Sequence, residues 1–159
     1  MTKYVVVGAS AAGIGAVEAI REVDPIGSIA VISEEPCPQY SRPMISDFVS
    51  GKADAKKMDC RNDGFWKEHN VEAVTGKKVT ALNLTEKTVQ LESGEKVPYE
   101  KLLLATGGKP FVPKTEGSDK DGVFTFTTHN MEGTWHDHWS GVYEQNVYTP
   151  TNGLKLLKQ

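Results

Sequence analysis

The chain has 159 residues, 38% hydrophobic and 25% charged, with a formal net charge of −3, which suits one ordinary domain with a real core. Mixed, mildly acidic charge gives no electrostatic pull toward nucleic acid, and no apolar run approaches the roughly 20 residues needed to span a bilayer. Cys37 and Cys60 lie far apart without CxxC or zinc-ligand spacing, so a reducing cytoplasm is the expected setting.

Lys3 and the apolar residues after it mimic a signal peptide, but Gly8, Gly13, Gly15 and Glu18 interrupt the run, so mature protein is expected there. Residues 4–7, Tyr-Val-Val-Val, are uninterrupted apolar sequence, as in a strand buried on both faces of a parallel sheet. Gly13, Ala16, Val17 and Ile20 then fall at i, i+3, i+4 and i+7, one stripe of a helix. Asp24-Pro25 ends it, because proline pushes the preceding residue out of the α region. Residues 28–33, Ser-Ile-Ala-Val-Ile-Ser, form a second strand, and so compact a β-α-β unit makes a right-handed parallel crossover. A polar, proline-rich loop covers residues 34–42. A short helix follows over 43–49, with Pro43 suited to its first turn. Asp63 is placed to cap another helix over 64–69, and residues 71–75 read as a third strand. The runs 79–83, 88–91 and 96–98, separated by Leu-Thr-Glu-Lys and Glu-Ser-Gly-Glu, have the turn chemistry of an antiparallel meander. Residues 102–105, Leu-Leu-Leu-Ala, are again a fully apolar strand, ending in Thr106-Gly107-Gly108. This alternation predicts an α/β fold, a Rossmann-like doubly wound parallel sheet with an inserted antiparallel β-meander. Residues 129–159 show no sustained period and form an unassigned C-terminal tail.

The first strand–helix turn reads Gly8-Ala9-Ser10-Ala11-Ala12-Gly13, a G-x-G-x-x-G pattern with serine in the middle glycine's place. Gly8 permits the tight turn, Gly13 lets the helix pack closely, and the middle position must let backbone approach a pyrophosphate. Serine is small, and its hydroxyl can donate to a phosphate oxygen. The helix N-terminus adds N–H groups and a dipole that favours an anion by roughly 0.3–2 kcal/mol. Taken alone, the turn also reads as a junction that merely needed small residues, because a lone glycine fingerprint is a weak signal. Glu34 and Glu35, directly after the second strand, sit where a dinucleotide site places the carboxylate for ribose hydroxyls. A carboxylate there argues against a 2′-phosphate, and for each glutamate a solvated surface role is the plain alternative.

The segments "VVVGASAAG", "VISEEP", "YSRPMIS" and "YEKLLLATGGKP" occur in this order within residues 3–128. Together they resemble the FAD domain of the pyridine nucleotide–disulfide oxidoreductase superfamily. The similarity is to the branch of NADH oxidases, rubredoxin reductases and ferredoxin reductases, where a G-x-S-A-A-G turn is a familiar variant. The resemblance implies that residues 1–128 bind FAD, with Gly8, Ser10, Ala11, Ala12 and Gly13 on its pyrophosphate. It gives Glu35 or Glu34 to the adenosine ribose, Arg42 and Pro43 to the flavin end, and the backbone around Val79 to the adenine. Ala105, Thr106 and Gly107 pass under the pyrophosphate and ribityl chain. Gly107 and Gly108 are expected there because only glycine tolerates both positive φ and close backbone approach.

Departures from the family pattern set further expectations. Neither a second fingerprint for NAD(P)H nor the family's returning Gly-Asp pair is legible in residues 129–159. A truncated relative, or one piece of a split enzyme, is therefore expected. The stretch "RPMISDFVSGK" lacks the redox cysteine of the disulfide-reducing members, and Asp47 stands where some ferredoxin reductases place a lysine. Cys37 has no partner thiol beside it, and reactivity needs a lowered pKa. His136-Asp137-His138, with His129 nearby, lacks a complete ligand set, so no metal is expected. Trp135 and Trp139 read as packing residues. The implied function is hydride or electron transfer through FAD in an NAD(P)H-dependent oxidoreductase, with no catalytic side chain identified. The alternative is a non-catalytic subunit that binds FAD, ADP or AMP. A protein that supplies the NAD(P)H site or accepts electrons is the expected partner, with self-association open and neither nucleic acid nor membrane involved.

Overall fold

The apolar run of residues 4–7 lies within a six-stranded sheet in the computed structural model, which describes residues 1–36, 39–108 and 116–117. In chain order the elements are β1 (Thr2–Val7), α1 (Ala11–Val23), β2 (Ile29–Ile32), α2 (Ile45–Val49), α3 (Ala55–Met58), α4 (Phe65–Glu68), β3 (Val71–Val74), β4 (Val79–Asn83), β5 (Thr88–Leu91) and β6 (Lys96–Leu104). The chain divides into two units, Met1–Ser41 with Asp59–Gly108, and Arg42–Met58 with Lys109–Gln159.

The first unit holds the sheet, in the order β3-β2-β1-β6-β5-β4. β1 pairs in parallel with β2 on one side, Val5 opposite Ala30, and with β6 on the other, Val6 opposite Leu103. β2 pairs in parallel with β3, while β4, β5 and the start of β6 form the antiparallel meander. The sequence predicts separate strands at 96–98 and 102–105. The structure joins them. β6 runs antiparallel to β5 from Lys96 to Pro98 and parallel to β1 from Tyr99 to Leu104, so Glu100 and Lys101 are exposed residues inside one strand.

Alternation along β1 sends Val5 and Val7 to one face and Val6 to the other. Val6 packs with Ile14 and Val17 of α1, Ile29 and Val31 of β2, and Phe65 of α4. Val5 and Val7 pack with Ala30, Ile32, Val89, Leu91 and Tyr99. Helices thus cover one face of the parallel strands and the meander covers the other. The helical stripe includes Ile14, which is buried with Gly13 and Val17, whereas Ala16 and Ile20 are only half-buried.

α1 stops at Val23 with Asp24 as its C-cap, as the proline at 25 requires. The Asp24 carboxylate accepts from Lys3 Nζ at 2.7 Å, Tyr4 Oη at 2.9 Å and the Gly27 amide at 2.9 Å. These donors, Lys3 first, hold its carboxyl well below the usual carboxylate range. Arg21 donates to the carbonyls of His69, Asn70, Asp24 and Gly27, tying the end of α1 to the start of β3. Asp63 does not cap α4. Gly64 occupies the N-cap without a side-chain bond, and the Phe65 amide donates to the Asn62 carbonyl at 3.1 Å.

In the second unit, Arg42–Met44 form a 3₁₀ turn ahead of α2, so the α-helix predicted from residue 43 begins at Ile45. The Asp47 carbonyl accepts from the amides of Lys52 and Ala53 at 2.9 and 3.2 Å, which closes the turn after α2.

Candidate nucleotide site

The parallel ladders on both sides of β1 run past its end. The Gly8 amide donates to the Ile32 carbonyl at 2.8 Å, and the Ala105 amide donates to the Val7 carbonyl at 2.8 Å. The chain therefore turns out of β1 directly against the exit of β6. Gly8 has φ +114, and a Cβ there would overlap the Ala105 carbonyl oxygen and lie 3.3 Å from the Thr106 amide nitrogen. Gly13, in the first turn of α1, rests on that turn in the same way. Its Cβ would overlap the Gly8 carbonyl oxygen and stand 3.0 Å from the carbonyl carbon. Glycine is required at both positions by backbone contact.

Ser10 is the N-cap of α1, in extended conformation (φ −89, ψ −165), and its carbonyl accepts from the Ile14 amide at 2.9 Å. Its hydroxyl makes no capping bond, and the first turn contains no acidic residue. Ala11 and Ala12 are exposed. The positive end of a 13-residue helix thus faces outward between two small side chains. Across the Gly8 contact, Gly107 has φ +71 and no heavy atom within 4 Å of the position a Cβ would take. Gly108 is equally open but lacks the positive φ expected of it.

The two glutamates after β2 have different surroundings. Glu34 is exposed and paired with Lys78 Nζ at 2.9 Å. Its carboxylate raises the Lys78 pKa. Glu35 is half-buried, and Oε2 accepts from Tyr40 Oη at 2.6 Å. The Glu35 amide donates to Ser33 Oγ at 3.2 Å, and its carbonyl accepts from the Gly76 amide at 3.4 Å. Val79 opens β4, paired with Leu91 and packed on the meander side of the core.

Gly8, Ser10, Ala11, Ala12, Gly13, Ala105, Thr106 and Gly107 are thus brought to one end of the sheet, and the glutamates follow the adjacent strand β2. Arg42 and Pro43 belong to the second unit, as exposed residues of its 3₁₀ turn. Tyr40 and Lys78 are polar partners that sequence reasoning did not single out. Tyr40 lies in the "YSRPMIS" segment, but its link to Glu35 depends on the loop's path. Among the described residues no cluster of His, Cys, Asp and Glu could hold a metal ion. Cys37, the histidines at 129, 136 and 138, Trp135, Trp139 and the boundary at 128–129 lie outside the described residues.

Known proteins resemble this chain in sequence and in fold. The family model described as "Pyridine nucleotide-disulphide oxidoreductase" matches residues 2–147. The epsilon subunit of NADH-dependent phenylglyoxylate dehydrogenase from Aromatoleum evansii is 36% identical over 118 residues, covering 74% of this chain and 28% of that protein. Rubredoxin-NAD(+) reductase from Pseudomonas putida is 30% identical over 120 residues, 75% of this chain and 31% of the reductase. The crystal structure of NADH:rubredoxin oxidoreductase from Clostridium acetobutylicum superposes with a TM-score of 0.67 at 27% identity, over 75% of this chain and 31% of that one. The chain spans less than a third of the length of each.

Proposed function

This chain belongs to the pyridine nucleotide-disulphide oxidoreductase family, and from that premise we propose that residues 1–128 bind FAD as the flavin domain of an NAD(P)H-dependent oxidoreductase. The supporting observation is the close approach of Gly8, which leads into α1, to Ala105 and Thr106, the residues that leave β6 just before Gly107. A pyrophosphate fits that combination: helix amides attract its charge, and backbone without side chains admits it closely. Gly8, Ser10, Ala11, Ala12 and Gly13 hold the phosphates, with the Ser10 hydroxyl donating to a phosphate oxygen. Ala105, Thr106 and Gly107 line the opposite side of the cofactor's path. Glu35 takes the ribose hydroxyls, and the backbone at Val79 meets the adenine. Arg42 and Pro43 serve the flavin end.

FAD, when bound, accepts a hydride and passes electrons onward. The protein's part is orientation and electrostatics. The electron partner is a redox protein, in keeping with the rubredoxin in the names of two relatives. No helix among the described residues is long and apolar enough to cross a membrane, and the cytoplasm is the proposed compartment.

The test is a visible spectrum of the purified chain with calorimetry against FAD, FMN and ADP. The expected result is a flavin spectrum, tight FAD binding, measurable ADP binding and much weaker FMN binding, because the assigned groups serve the ADP half. FMN binding as tightly as FAD would refute the assignment. ADP binding in a chain that never takes up flavin would favour the non-catalytic alternative.

A further inference from the structure

We propose that Tyr40 is a positioning residue for the adenosine ribose, acting through Glu35; this rests on the FAD assignment above. A glutamate side chain has several rotatable bonds, and ordering it on ligand arrival subtracts from affinity. Here the ordering is built in. At 2.6 Å, the Tyr40 Oη to Glu35 Oε2 contact falls in the range of a charge-assisted O–H···O⁻ bond, the stronger kind.

Both ends of that bond are anchored to the sheet frame. The Glu35 backbone bonds to Ser33 Oγ on one side and to the Gly76 amide on the other. Tyr40 forms an isolated antiparallel bridge with Asp59, and the carbonyl of the buried neighbour Gln39 accepts from the Cys60 amide at 2.8 Å. The phenol therefore reaches back five positions from a fixed point to a fixed point. Among the described residues, Glu34 has no comparable frame. Its partner is Lys78, half-exposed on a flexible stem, and such pairs hold geometry weakly. The difference selects Glu35 over Glu34 and makes Tyr40 the reason.

The experiment is calorimetry on the 159-residue chain with ADP and with 2′,3′-dideoxy-ADP, for wild type, Tyr40→Phe, Glu35→Ala and the double variant. Tyr40→Phe should weaken ADP about tenfold, the scale of one hydrogen bond to a charged group. It should leave dideoxy-ADP unchanged, because that ligand offers the carboxylate no hydroxyls. In the Glu35→Ala background, Tyr40→Phe should have no further effect on ADP. Equal weakening of ADP and dideoxy-ADP by Tyr40→Phe would show a general loop role and overturn the proposal, as would unchanged ADP affinity. Loss of ADP affinity in Glu35→Ala but not in Tyr40→Phe overturns the Tyr40 role and leaves the ribose assignment standing. No loss in Glu35→Ala removes the ribose assignment together with the Tyr40 role. No ADP binding by wild type removes the nucleotide site itself.

Discussion

Replacing Gly13 with alanine adds one methyl group to a helix, which ordinarily stabilises by about 1 kcal/mol. At this position the sign should reverse. The new Cβ would overlap the Gly8 carbonyl oxygen and press on its carbon at 3.0 Å. Both groups are backbone, so no rotamer change relieves the overlap, and α1 must lift from the turn by about 1 Å to regain van der Waals distance. Overpacking of this kind costs ~1–3 kcal/mol, and two rigid backbones place it near the upper end. Against the helix-propensity gain, the net loss is about 2 kcal/mol, a fall in Tm of about 5–10 °C for a domain of this size. Gly15, two residues on, is the internal control. It is exposed, with nothing within 4 Å of its Cβ position, so Gly15→Ala should stabilise by ~0.5–1 kcal/mol. Thermal melts followed by circular dichroism measure both variants, and FAD titration measures whether the lifted helix loses the phosphate. Should Gly13→Ala melt at or above the wild-type temperature, the close approach of α1 to the turn is not what requires the glycine.

Leu91, almost wholly buried on the meander side of the sheet, should cost 2–5 kcal/mol when cut to alanine, at about the scale of any large-to-small core change; a loss near zero in denaturant melts would mean the meander does not seal that face. Asp24 keeps its carboxylate charged below the usual range through Lys3, Tyr4 and the Gly27 amide, so its contribution is full above the unfolded value of about 3.9 and disappears as pH falls through the native value. An acid titration of stability should therefore be shallower in Asp24→Asn than in wild type, and identical slopes below pH ~4 would contradict the pairing. Glu34→Gln should change ADP affinity by less than about twofold, since its exposed pair with Lys78 is of the weak surface kind; a large loss by calorimetry would return the ribose role to Glu34.

The sequence revealed most where one force dominates. Residues 4–7 and 28–33 are legible because a strand between two parallel neighbours needs apolar side chains on both faces. Proline 25 ends α1 by sterics alone. Legibility fails where two influences meet. Glu100 and Lys101 read as a break because polar residues usually end a buried strand, yet here they follow directly on the point, between Pro98 and Tyr99, where β6 exchanges β5 for β1 as partner. α3 is too short for any period, although Asp54, whose Oδ1 accepts from the Lys57 amide at 2.8 Å, left a capping signal. Asp63 misled because Gly64, one residue on, takes the N-cap with backbone alone. In the candidate site, Gly8 and Gly13 were readable because backbone contact admits no other residue, whereas the choice between Glu34 and Glu35 rests on the Tyr40 bond to Glu35, which no local pattern encodes.

The pairing of β1 with β6 also sets an order of events during synthesis. Thr2 pairs with Tyr99 and Val7 with Leu104, so the ribosome makes one strand and then its neighbour roughly 100 residues later. At ~5–20 residues per second the interval is about 5–20 seconds. Through that wait β1 can hold β2, delivered by the short α1 crossover, but its other edge stands open with Val5, Val6 and Val7 in a row. Open apolar edges recruit other chains. A nascent chain stopped before residue 96 should therefore aggregate or bind chaperones at concentrations where the 159-residue chain stays dispersed, and light scattering of the two compares them directly. Equal dispersion would mean that β1 is sheltered before its partner exists.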